Sequence, residues 1–394
     1  MKKAPFVLSL PYRNNAMKAF NLTVISLFCF LLSTRSQEGA LFTLYGTQLV
    51  NDSALQMLSF DPLVFRPASS VMGFARQKKT GKFVLHTTKK GQALAVYYFP
   101  GKSDKNAVVI GGMHGSELSS IEVAMALVKK LSQGEKPYYN VVIIPTLFPD
   151  NAALARKDDK NRVANNTGRY TNEHTPDPNR QMPFLGKPYV EAVSRDAMGR
   201  EIEGENAALL QLLQTVKPDR LVSIHAIKDK ARAGVFADPR TDCSSYALGY
   251  DSDKALALLM AQRIQELGGI CPGNNLEAEP TTLYYLDPPV AQQGQKQERS
   301  FDGSKGTGRG IGVSLGSWGS TAVCHEEEDL SRPAIRTFTM EFPGYKRTVE
   351  YKSEADRKLF EKLVQVYASS IYNIFLQAYF VEEEQNPATR YISN

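Results

Sequence analysis

His114 and Glu117 stand three residues apart in GGMHGSELSSIEVA, directly after the apolar run AVVI. An imidazole and a carboxylate at this spacing can share a divalent cation, and one distant donor completes three protein ligands around tetrahedral zinc, leaving its fourth position to water. The same residues also suit a plain structural role, because Ser and Glu begin helices and Gly makes turns. Partners elsewhere in the chain have to decide between the two. His225 in LVSIHA and Glu341 in RTFTMEFPG each lie near the end of an apolar run. A lone strand histidine is more often a hydrogen-bonded core residue. A glutamate among apolar neighbours asks for a partner, since burying an unpaired carboxylate is costly. His86, His174 and His325 stand in polar or loop contexts and read as solvent-facing.

The elements that would position these groups alternate in type. GKFVLHTT and ALAVYYF read as strands joined by a KKG turn, and NAVVIGG, YNVVIIPTL (139–147), RLVSIHA (220–226), GVFA and IRTFTMEF (335–342) as further strands. Helices are expected over about 117–131, 201–216, 253–268 and 353–380, the first with Ile121, Met125, Val128 and Leu131 on one face. Such alternation predicts an α/β fold with a mixed, largely parallel central sheet and helices on both faces. Ligands of open α/β sheets bind beyond the carboxyl ends of the strands, so His114, His225 and Glu341 are aimed at one rim. Stretches 149–200 and 272–334 lack periodicity and read as binding loops or disordered segments. Within the second, GSKGTGRG (303–310) lacks the Lys-Ser/Thr ending of a phosphate loop.

With 394 residues, 42% hydrophobic and 22% charged, the chain can bury a large core. Its formal charge of +6 misleads, because five basic residues precede residue 37; the remainder holds 42 basic and 41 acidic groups. No nucleic-acid partner is expected from that balance. Leu22 to Leu32 (LTVISLFCFLL) is an apolar run behind a basic stretch, too short to span a bilayer comfortably and followed by Ser33, Thr34 and Ser36. Residues 1–36 therefore read as a cleaved export signal, the alternative being a buried helix or membrane anchor. Residues 37–80 read as a small N-terminal addition. The favoured location is the periplasm, with no stable membrane partner after signal removal. Loss of Cys29 leaves Cys243, Cys271 and Cys324, an odd number, and a Cys243–Cys271 bridge is one option in an oxidising compartment.

GGMHGSE, PDNAALAR, DPNRQMP, LVSIHA, SLGSWG and TFTMEFPG, in this order, resemble the zinc carboxypeptidases of the carboxypeptidase A type. Among these the chain looks most like bacterial murein tripeptide amidases and peptidoglycan-peptide carboxypeptidases. The resemblance makes residues 81–394 a zinc carboxypeptidase-like catalytic domain. It implies one Zn2+ per chain held by His114, Glu117 and His225, with Glu341 as the general base that activates the attacking water. It further implies that Arg156 stabilises the oxyanion, that Asn179 and Arg180 hold a substrate carboxylate, and that the substrate is a murein-derived peptide. FPDN and DPNRQM stand where NPDG and DLNRNF are usual, and Ala226 follows His225 where an acidic residue is usual, which leaves the support of the metal ligands to other groups. Trp318 in SLGSWGS either walls a substrate pocket or anchors the core. Two other functions share the pattern: a zinc-dependent deacylase of N-acyl amino acids, similar to succinylglutamate desuccinylases and aspartoacylases, and a non-catalytic murein-peptide binding protein. An intact His114, Glu117, His225 and Glu341 set opposes the latter.

Overall fold

The computed structural model describes residue 73 and residues 78–157, 167–172, 174–191, 193–274, 290–298, 308–344 and 351–381. Residues 1–36, read as an export signal, and nearly all of 37–80 lie outside them. In chain order the elements are β1 (Gly81–Thr87), β2 (Ala93–Phe99), β3 (Asn106–Ile110), α1 (Leu118–Gln133), β4 (Asn140–Ile144), α2 (Pro149–Lys157) and α3 (Gly204–Val216). There follow β5 (Arg220–Ile227), β6 (Gly234–Ala237), α4 (Asp251–Glu266), β7 (Gly273–Asn274), α5 (Leu315–Gly319), β8 (Arg336–Pro343) and α6 (Glu354–Ser370).

Runs such as NAVVI and NVVII become central strands because branched side chains fit a pleated surface buried on both faces. The eight strands form one sheet in the order β1-β2-β4-β3-β5-β8-β6-β7. Its four middle strands, β4, β3, β5 and β8, are parallel, so their carboxyl ends share one rim. Antiparallel pairing joins β1 to β2, β2 to β4 and β6 to β8. Helices α1, α4 and α6 cover one face through a core that includes Leu127, Met260 and Tyr367. The other face packs on α3 and α5 through Leu209, Leu213 and Trp318. The mixed α/β sheet clad on both sides is thus as the alternation predicts.

Strand β8 shows how one face becomes chemical. Phe338, Met340 and Phe342 point into the first core, so the alternating positions Thr337, Thr339 and Glu341 project to the opposite side. In β5 the same alternation sends Val222, Ile224 and Ala226 to that core and Ser223 and His225 to the other side. His225 pairs in register with Glu341, which places both on one face of adjacent parallel strands.

Three expectations need correction. Residues 149–157 are helical rather than loop: Pro149 opens the helix, Asp150 lies in its first turn, and Arg156 and Lys157 lie in its last. Its apolar side is only Ala152 and Ala155, packed on Leu118 and Ile121, too few residues to give a periodic signal. The last α-helix ends at Ser370 and passes into a wider π turn at Ile371–Phe375. The disulfide joins Cys243 to Cys324, while Cys271 is unbridged and buried. Cys271 belongs to the core under α6, where no second cysteine among the described residues meets it.

The Cys243–Cys324 bridge closes a loop of 81 residues that ends just ahead of β8. Replacing both cysteines with alanine should lower unfolding stability by about 2–4 kcal/mol through the freedom regained by the unfolded chain. Denaturant midpoints of the oxidised wild type and the double variant measure this, and equal midpoints would mean the bridge contributes nothing.

Candidate metal centre

The turn between β3 and α1 is built to present His114 and Glu117. Gly112 adopts φ +62, a left-handed conformation that disfavours side chains. Its N–H donates to Ser120 Oγ at 3.0 Å, and that hydroxyl donates to Glu117 O at 2.7 Å. At Gly115 the start of α2 comes so close that a Cβ would lie 2.3 Å from Ala152 N. Glu117 occupies the N-cap position of α1 without a side-chain capping bond. Its carboxylate serves the histidines instead, so GSE starts the helix while the Glu117 side chain is free of capping.

Glu117 Oε1 lies 2.8 Å from His114 Nδ1, and Oε2 lies 3.1 Å from His225 Nδ1. The backbone N–H of Ala226 also donates to Oε2, at 3.1 Å. The two imidazole rings sit 5.1 Å apart between centroids. One donor atom from each of His114, Glu117 and His225 falls within 4.8 Å of the others, and all three residues are buried. Two imidazole nitrogens and a carboxylate oxygen are the donor set that suits zinc with an open position. The residues present therefore fit the ion.

The far sides of the ligands are supported as well. His114 Nε2 meets Asp177 Oδ1 at 2.8 Å, and Ser223 Oγ lies 3.0 Å from His225 Nε2. Holding the second ring nitrogen fixes the imidazole's orientation and tautomer, so the support missing at Ala226 comes from Asp177 and Ser223. Arg169 binds Asp177 Oδ2 through Nη2 at 2.8 Å and Nε at 3.1 Å, and extends Nη1 to 3.3 Å from Glu117 Oε1. Burial opposes the charge of Asp177, yet His114 and Arg169 beside it hold its carboxyl far below the usual range. Glu117 behaves likewise, with His114 and His225 outweighing its burial.

Asp177→Asn should weaken zinc binding about ten- to a hundredfold, as loss of such an outer partner typically does. Competition against a chromogenic chelator reads this, and an unchanged affinity would remove Asp177 from the centre.

Among the other residues singled out from the sequence, Glu341 reaches the rim beside His225 and is 9% exposed. Asn179 and Arg180 form a single 3₁₀ turn right after Asp177. Asn179 Oδ1 accepts from Leu315 N at 2.9 Å, which leaves its NH2 group for a ligand. Arg180 donates through Nη1 to Asn179 O at 2.7 Å, while its buried Nε has no hydrogen-bond partner. Arg156 is the exception. It lies exposed in the last turn of α2, where the carboxyl it acts on is Glu122 of α1 rather than a ligand. The guanidinium at the centre belongs to Arg169, which no sequence rule marks, since it stands in an aperiodic stretch. Asp177 was within reach of sequence reasoning, as the acid opening DPNRQMP. Trp318 is a core anchor, fully buried with Nε1 donating to Lys187 O at 3.1 Å. His86 is half-buried beside Gly204 rather than fully in solvent.

No curated protein matches the chain. Several solved structures share similarity with it. The murein-tripeptide amidase MpaA from Escherichia coli O157 is 17% identical, over 78% of this chain and 97% of that one, with a TM-score of 0.38. A candidate metallopeptidase from Shewanella amazonensis is 15% identical, over 79% and 92%, with a TM-score of 0.44. Bovine thrombin-activatable fibrinolysis inhibitor is 10% identical, over 79% and 98%, with a TM-score of 0.42. Residues 78–231 match the family model described as zinc carboxypeptidase. That stretch contains His114, Glu117, Asp177 and His225, so the residues of the candidate centre all fall within the part of the chain that matches a zinc carboxypeptidase domain.

Proposed function

We propose that the protein is an exported zinc peptidase that cleaves murein-derived peptides at a bond close to a free carboxylate, with the bond between the γ-carboxyl of D-glutamate and diaminopimelate as the first candidate. The observation that carries the reading is the buried His114, Glu117 and His225 group with Glu341 in register beside it. A zinc ion held by the three residues supplies Lewis acidity to a scissile carbonyl and to water. Glu341 accepts the proton of the attacking water and passes it to the leaving amine. Arg169 takes the part that the family resemblance assigns to Arg156: its guanidinium meets negative charge that grows on the carbonyl oxygen only in the transition state. Arg180, with an unpartnered donor, and Asn179, with its NH2 group, grip the substrate carboxylate.

Export is supported by the apolar run at 22–32 and by the Cys243–Cys324 bridge, since structural disulfides persist in oxidising compartments. Among the described residues no helix is long and apolar enough to cross a membrane. Murein specificity rests on the motif resemblance. Incubating the zinc-loaded protein with L-Ala-γ-D-Glu-diaminopimelate and, separately, with N-succinylglutamate tests it. Cleavage of the tripeptide is expected. Turnover of the N-acyl amino acid alone would make the protein a deacylase, and tripeptide binding without cleavage would make it a binding protein.

A further inference from the structure

Arg169 and Asp177 must keep fixed distances to Glu117 and His114, yet the described part of the loop between them contains no helix or strand. A loop of that kind is held from outside. Arg309, the one arginine of the Gly-rich GSKGTGRG segment, makes four contacts with it. Its guanidinium lies 3.8 Å from the centre of the Tyr170 ring, the neighbour of Arg169. Its Nε donates to Thr175 O at 2.8 Å and its Nη2 to Asn172 O at 2.6 Å. Its own carbonyl accepts from Asp177 N–H at 2.8 Å. One side chain and one carbonyl thereby touch the loop from Tyr170 to Asp177.

The platform under Arg309 is itself pinned. Arg200 donates through Nη1 to Gly308 O at 3.1 Å and through Nη2 to Ile311 O and Arg180 O, both at 2.8 Å. Its Nε is paired with Asp196 at 2.6 Å. Further along, Met182 bridges Val313 and Leu315 N–H reaches Asn179. The segment 308–315 thus runs beside the whole stretch that carries Asp177, Asn179 and Arg180. A second tether, Thr171 Oγ1 to Glu203 Oε2 at 2.9 Å, grips one residue of the loop and leaves the Tyr170 ring and the two carbonyls to Arg309.

We propose that Arg309 is a positioning residue of this peptidase: by clamping Tyr170, Asn172, Thr175 and Asp177 it holds the loop so that Arg169 faces the scissile carbonyl. This rests on the peptidase reading above. Arginine suits the task because a planar fork can stack on a ring and donate to two carbonyls together, whereas a lysine ammonium cannot.

The test uses the full zinc-loaded chain as wild type, Arg309→Ala, Arg309→Lys, Arg169→Ala and the Arg169→Ala/Arg309→Ala double variant. Arg309→Ala should lower kcat on the tripeptide about ten- to a hundredfold with KM changed less than about threefold, since small misplacements of a catalytic group cost rate. Arg309→Lys should recover little of that loss. In the Arg169→Ala background the same change should cost less than about threefold, because residues acting as a unit are not additive. Multiplicative losses, or full rescue by lysine, would overturn the proposal. Hydrogen exchange supplies a readout without turnover: amides of 170–177 should exchange at least about tenfold faster in Arg309→Ala, with those of β3 and β5 unchanged. Unchanged loop exchange would overturn the proposal too. A wild type that cleaves no peptide would sink the peptidase reading, and loop exchange would then decide the tether by itself.

Discussion

Glu341→Gln is expected to keep its zinc and to lose at least about a thousandfold in kcat, near the upper range for removal of a general base. Glutamine preserves the volume and the buried position at the end of β8, but it cannot take a proton from water. Since Glu341 is not among the clustered donors His114, Glu117 and His225, the variant should bind metal as the wild type does. Metal content and tripeptide turnover measured on one preparation separate the two effects. A glutamine variant that kept more than about a tenth of wild-type kcat would show that Glu341 is not the base.

Arg169→Ala should lower kcat about a hundred- to a thousandfold, the usual cost of losing one donor to a developing oxyanion. Arg156→Ala, an exposed change at the end of α2, should leave kcat within about threefold. Because Arg169 also holds Asp177, the comparison needs saturating zinc and a check of metal content. Lysine at position 169 should restore only part of the rate, having charge without the planar fork. A large loss for Arg156→Ala with none for Arg169→Ala would return the oxyanion role to Arg156.

The sheet was legible wherever its strands are short branched runs: β3, β4, β5 and β8 stand close to where hydrophobic patterning puts them. Their parallel arrangement at the centre follows from the helices between them. The clustering of His114, Glu117 and His225 was equally legible, because His114 and Glu117 share one turn and His225 lies near the end of a strand, so residue type and element end together bring the three donors to one place. What stayed hidden depends on tertiary contact. Arg169 lies in a loop held in part by partners such as Arg309 and Glu203, far along the chain. Arg156 had the motif's position but lies exposed in the last turn of α2, where its charge acts on Glu122. Cysteine pairing was hidden for the same reason: among three cysteines only spatial proximity selects Cys243 and Cys324. The helix α2 had start and end signals in Pro149, Asp150 and Arg156, yet its two-alanine face could not outweigh the aperiodic stretch around it.

The central claim is that His114, Glu117 and His225 bind one zinc ion with room for water. Zinc X-ray absorption on the metal-loaded chain tests it most directly. The account predicts one zinc per chain, two imidazole nitrogens at about 2.0–2.1 Å, the rest of the shell oxygen, and no sulfur. Glu117→Ala and His225→Ala should each abolish that spectrum. A sulfur shell, or the same spectrum in either variant, would mean that the metal sits elsewhere and that GGMHGSE is only a turn and a helix start.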